Sequence, residues 1–375
     1  MGLLIARRAQ LALAALSVAL ASCSPIRLAR PLDPVEAIGL APGQPLELAW
    51  ERNVEGGSGP GAPIVSASFV ALGTQRGDVA IVGLADGALE GSSSFGESVE
   101  GRPALAPDGR TLFVPLAAGR DGVLAHDLVG GQTRWRTDLG PVVSGPLVIG
   151  QTVVAAALDG TLAGLATADG ATRWTTRRDT TAAYHASPVA VGSDVIAADD
   201  RGRVVRFGAA DGSERWSVSI GEPVYNAMAI EGDLVVIPTT RGSLVGLSAA
   251  RGSEVWRVRL GDGVRVGAPA ISNGRIVVGT TEGDVVAVEA ATGAEIWRTR
   301  LEGVVRARPA FGDGIVYVGT FAQRLAALDL ATGMRVWDTE VRGRVKTDLT
   351  VADGLLIVVA EPRHVLAYRT AGGEP

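Results

Sequence analysis

A chain of 375 residues is long enough for two domains, yet its formal net charge of −5 and 20% charged residues lack the strongly basic balance expected of a nucleic-acid-binding protein. Its 50 glycines suit short strands joined by tight turns better than long amphipathic helices. With one cysteine, no internal disulfide can form.

Residues 1–22 read as an export signal: Arg7 and Arg8 supply a positive start, and Leu11 to Leu20 an apolar stretch too short to serve as a permanent membrane span. The sequence Leu20-Ala21-Ser22-Cys23 follows. It resembles the lipobox of bacterial lipoproteins, and the resemblance implies that Cys23 carries lipid and becomes the mature N-terminus; a free or dimer-linking thiol is the alternative. Several acyl chains would anchor the protein stably, since each buried methylene contributes about 0.8 kcal/mol. Ser24 in place of Asp after that Cys resembles an outer-membrane address, on the periplasmic side, in a host with two membranes.

Residues 23–45 hold Pro25, Pro31, Pro34, Pro42 and Pro45 without a sustained period, which predicts an extended tether contributing reach and no packing. Leu46 to Trp50 then alternates apolar and polar, a strand pattern. Farther on, Trp135, Trp174, Trp216, Trp256, Trp297 and Trp337 recur at intervals of 39, 42, 40, 41 and 40 residues, each four residues after a turn glycine. A period near 40 with Gly-rich turns is that of a four-stranded propeller blade. The register of Gly73 to Ala80 against Gly279 to Val286 places a further slot at Gly91, where the tryptophan is missing. Counting Trp50, Gly91 and the six others gives eight slots.

The unit from Ala268 to Thr299 shows the plan: strands Ala268–Ile271, Arg275–Thr280, Asp284–Glu289 and Ala294–Thr299, with turns at Asn273-Gly274, Glu282-Gly283 and Thr292-Gly293. One identical aromatic per outer strand suits packing between blades; a ring of ligand-stacking aromatics is the alternative. After Trp337 three strands remain, Val345–Val351, Leu355–Ala360 and His364–Arg369, with no fourth. Leu46 to Trp50 supplies it, closing the ring and removing two exposed edges, with the tether leaving from the rim of that closing blade. The expected fold is all-β: one eight-bladed propeller of four-stranded antiparallel blades over residues 46–370, with a tail at 371–375.

No catalytic constellation stands out. His126, His185 and His364 fall in different blades without metal-ligand spacing, and there is no G-x-S-x-G elbow or P-loop. Gly279 to Trp297 reads Gly-Thr-x-x-Gly-x-Val-x-Ala-Val-x-x-x-Thr-Gly-x-x-x-Trp, which resembles the pyrroloquinoline-quinone-type propeller repeat, and Gly319 to Trp337 is a close copy. The Cys pair and calcium shell of quinoprotein dehydrogenases are not found here, so neither a cofactor nor an enzyme is expected. Eight blades behind a lipobox make the chain similar to the BamB family of outer-membrane assembly lipoproteins. That resemblance implies a non-catalytic, membrane-anchored, monomeric scaffold whose partner is the β-barrel assembly machinery or an outer-membrane client. It also implies contacts from loops joining the outer strand of one blade to the inner strand of the next. Those loops here, Arg177 to Ser187 and Gly221 to Met228, carry Tyr184, His185, Tyr225 and Asn226 instead of the family's Arg, leucines and Asp pair.

Nine residues past the tryptophan, three consecutive repeats place a cation, at Arg265, Arg306 and Lys346, and the repeat before them places Tyr225. Equivalent positions of adjacent blades lie side by side, so these residues should cluster at one mouth of the channel, with Arg308 two residues along the same face. Such a patch suits an acidic partner loop or an anionic ligand. A solvated turn in an Arg-rich chain would look the same in sequence. The rival to the scaffold is a stand-alone extracytoplasmic propeller binding a small molecule, polymer or envelope protein at this mouth.

Overall fold

A computed structural model of the chain describes residues 26–32, 45–57, 61–177, 181–362 and 364–371. The export signal, Cys23 and the end of the tail lie outside these residues. No helix among the described residues is long and apolar enough to cross a membrane.

Eight antiparallel sheets form the propeller, seven of them simple four-stranded meanders. Blade 1 is Ile64–Val65, Phe69–Gly73, Asp78–Gly83 and Leu89–Ser94; blade 2 is Ala104–Leu105, Thr111–Pro115, Asp121–Asp127 and Gln132–Asp138. Blades 3 to 7 end on outer strands Thr172–Arg177, Glu214–Ser219, Glu254–Arg259, Glu295–Arg300 and Arg335–Glu340. Blade 8 takes its inner three strands from the C-terminal end and its outer one from Leu46–Asn53, which runs antiparallel to His364–Thr370 in a register from Leu46↔Thr370 to Asn53↔His364. Side chains fasten this closure: Arg369 Nε donates to Glu47 at 3.0 Å, and His364 Nδ1 lies 2.7 Å from Glu51.

Inner strands are short, as in Ala270–Ser272, and second strands such as Thr152–Ala156 are buried along their whole length. Each sheet is covered on both faces by its neighbours, so the apolar core is a series of clusters between blades. Strand ends in the Ala268 unit shift by one or two residues from expectation; Thr280 leaves the second strand for the turn, where its hydroxyl accepts the Asp284 amide. The expected strand Val345–Val351 is broken into Arg344–Val345 and Thr350–Ala352. Between them the Leu349 amide bonds to the Arg308 carbonyl of the neighbouring blade, and the Thr347 hydroxyl to the Val359 carbonyl.

The repeated tryptophan bridges blades. Its indole N–H donates to a carbonyl one blade on: Trp50 to Leu84, Trp135 to Thr167, Trp174 to Ala209, Trp216 to Ala249, Trp256 to Ala290 and Trp297 to Leu330, at 2.8–3.1 Å. The glycine four residues before the next slot lies beneath that indole. At Gly293 (φ 72°) a Cβ would sit 2.8 Å from the Trp256 ring, so the Gly-x-x-x-Trp spacing records two different seams.

The seam between blades 1 and 2 lacks the ring. Here Ile26 lies against Gly91, the vacant slot, and the Leu28 N–H donates to the Leu128 carbonyl at 2.8 Å. The Ile26 carbonyl and Arg27 side chain occupy the space over Gly131. Ile26, Leu28 and Leu32 are buried with Ile81, Phe95, Leu112 and Leu128. The Ile26 amide also donates to Ser93 Oγ, and the Leu32 amide to the Gly109 carbonyl. The expectation of a tether that contributes no packing therefore fails for residues 26–32, which form a strap across blades 1 and 2. Burial of three large apolar side chains, about 1.5–3 kcal/mol each, together with the hydrogen bonds of the Ile26, Leu28 and Leu32 amides, offsets the entropy of ordering these residues.

Candidate functional site

The loops entering the inner strands converge on one end of the channel, and five of them share an alternation eight and nine residues past the slot. At the first position Val99, Val224, Val264, Val305 and Val345 are buried, at 0–2% exposure. Val99, Val305 and Val345 press against Gly73, Gly279 and Gly319, where any Cβ would stand within 2.4 Å of the valine. Thus each valine is held down and its successor turned away from the core.

A cavity of about 460 Å³ opens at this mouth. Arg306, Arg308, Lys346, Tyr225 and His185 line it, joined by Arg102, Glu100, Asn226, Phe321 and Asp348. The expected cluster is therefore assembled in large part. Arg265 is exposed beside it and does not line it, although its charge reaches Arg306. Tyr184 does not reach the cavity: it is buried at 7% between blades 3 and 4 against Leu162, Val205 and Phe207, because it sits one residue before His185 and points the opposite way.

The cations differ in how they are balanced. Lys346 pairs with Glu361 at 2.5 Å and stands 5.5 Å from the centre of the Phe321 ring. Asp348 accepts the Arg308 amide at 2.9 Å but lies 3.7 Å from its Nε, which is buried without a hydrogen-bond partner, while Arg308 Nη2 donates to the Met228 carbonyl. Arg306 donates a long bond, 3.3 Å, to Asn226 Oδ1. Arg102 projects into the channel, reached by water yet enclosed by protein. Among the described residues no carboxylate lies within ion-pair distance of Arg102 or Arg306. Burial pushes both guanidinium pKa values down; Asp348 opposes this at Arg102, while Arg265 adds to it at Arg306.

Across the mouth, His185 and Tyr225 stack with ring centres 4.3 Å apart and planes 16° from parallel. Burial lowers the His185 pKa, so the imidazole is neutral near pH 7 and offers a flat face next to cations. The arrangement suits a carboxylate or other oxyanion held by forked N–H donors, with an apolar or planar group on the stacked rings.

Arg102 escaped the sequence reading. It stands eleven residues past the vacant slot at Gly91, as Arg308 and His185 stand eleven past Trp297 and Trp174. Reading that second position around the ring, vacant slot included, would have found it. Among the described residues no group of three or more His, Cys, Asp or Glu side chains is placed to hold a metal ion.

The family described as Outer membrane protein assembly factor BamB matches residues 75–228, 200–283 and 281–375, most of the chain. The chain belongs to this family. Within the BamB family, the solved structure of BamB from Moraxella catarrhalis is similar to it with a TM-score of 0.74 and 18% identity, covering 87% of this chain and 100% of that one. The computationally designed protein Ika8 is similar with a TM-score of 0.72 and 18% identity over 86% of this chain and 99% of that one. A quinohemoprotein alcohol dehydrogenase from Pseudomonas putida reaches a TM-score of 0.75 at 12% identity, covering 88% of this chain and 77% of its own. At such identities the likeness is one of fold, shared by a BamB, a design and an alcohol dehydrogenase. No curated protein sequence matches the chain.

Proposed function

We propose that the protein is a non-catalytic scaffold of the BamB kind, held at the periplasmic face of an outer membrane by lipid on Cys23, and that it binds a component of β-barrel assembly at the channel mouth. The observation that carries the binding role is the cavity itself, in which Arg102 and Arg306 have no carboxylate within ion-pair distance among the described residues, beside the stacked His185 and Tyr225. Unbalanced cations in an enclosed site lower stability, and an acidic loop from a partner restores the balance. Membership of the BamB family supports the choice of partner, and the Leu20-Ala21-Ser22-Cys23 sequence supports the anchor.

The same unpaired guanidiniums favour one second reading, a stand-alone propeller that takes a free anionic ligand. Recovery from membranes with the anchor intact separates the two. Co-purification of the barrel insertase, weakened in Arg306→Ser/Arg308→Ser/Lys346→Ser, is the expected result. Its absence from a stringent, repeated recovery overturns the scaffold reading.

A further inference from the structure

From the strap we infer that the rim of blades 1 and 2 is the edge of the propeller that rests on the lipid surface. Ile26 is fully buried against Gly91 and bonded through its amide to Ser93, so this point of the N-terminal segment is fixed to the rim. Cys23 precedes it by three residues, and three residues of chain span at most about 11 Å. Resting as it does on the proposed lipidation of Cys23, the inference makes the anchor a short link to one named edge. A loose tether of residues 23–45 would let the disc tumble; the strap allows one side only to face the headgroups. Arg27, in the strap, is exposed at this edge and offers positive charge toward anionic lipid.

The full chain, isolated with its anchor, is bound to vesicles of neutral and anionic phospholipid carrying a headgroup quencher. A fluorophore is placed on Thr133→Cys, on the outer strand of blade 2, or on Ile296→Cys, exposed on the outer strand of blade 6 across the ring. The expected result is quenching at position 133 and retained emission at position 296. Ile26→Asp/Leu28→Asp is expected to stay on the vesicles and to lose the difference between the two positions. Equal quenching in the otherwise unaltered, vesicle-bound chain overturns the orientation and leaves the anchor standing. A chain that does not float with vesicles, or whose Cys23 still reacts with maleimide, overturns the anchor reading and this inference with it.

Discussion

The Leu28 amide meets the Leu128 carbonyl at 2.8 Å, at the place where six other seams of the ring receive an indole N–H. Backbone has replaced side chain at one seam, and the residues that do so come from the far N-terminal end of the described chain.

Gly91→Trp should restore the missing indole and evict the strap, because even a Cβ at this position stands 3.3 Å from Ile26 Cα. The propeller is expected to fold, with residues 26–32 becoming a site of rapid proteolysis. Limited digestion followed by mass measurement checks this. In the parent chain the same segment should resist cleavage until the propeller unfolds.

The strap also rests on a histidine. Ser93 Oγ accepts the Ile26 amide and lies 3.2 Å from His126 Nε2; His126 is 3% exposed, its Nδ1 has no partner, and burial lowers its pKa despite the nearby Asp127. The unfolded state therefore binds a proton that the folded state refuses, so this contribution to stability is present above the unfolded value of about 6.5 and is lost as pH falls below it. His185, whose pKa is also lowered, acts with the same sign. Thermal unfolding near neutral and at mildly acid pH should show the loss, and His126→Gln should reduce it.

At an ordinary seam the ring is structural. Trp256, 8% exposed and bonded to the Ala290 carbonyl, should cost about 3–5 kcal/mol when replaced by Ala. Gly293→Ala should also destabilise, since its Cβ would meet the indole and its φ of 72° disfavours any side chain. Denaturant unfolding measures both, and an unchanged midpoint would contradict the seam.

The channel cations should behave in the opposite sense. Arg102→Met removes a guanidinium that has no ion-pair partner among the described residues, so the isolated protein should be as stable as before. Partner binding should weaken, and its dependence on salt should flatten. A large loss of stability would mean that Arg102 is part of the scaffold.

The eight blades were legible because the tryptophan period is local and survives one vacancy. The content of that vacancy was not: Ile26 and Leu28 lie more than sixty positions from Gly91 and are set among prolines, with no pattern to link them to it. The channel mouth was half legible. Position nine past the slot named Arg306, Lys346 and Tyr225, but which side chain faces inward depends on a valine pressing against a glycine in the second strand of the preceding blade, a contact that sequence spacing only suggests. Tyr184 shows the cost of being one residue out.

Closure of blade 8 pairs Leu46–Asn53, made early, with His364–Thr370, made among the last strands. The ring cannot be completed until His364–Thr370 has left the ribosome, or any pore the chain threads. Until the final strand arrives, two open edges wait for each other across some three hundred residues, a loop whose closing entropy grows only slowly with length. Completion thus waits on one strand, and a chain truncated before His364 should be left with both edges open.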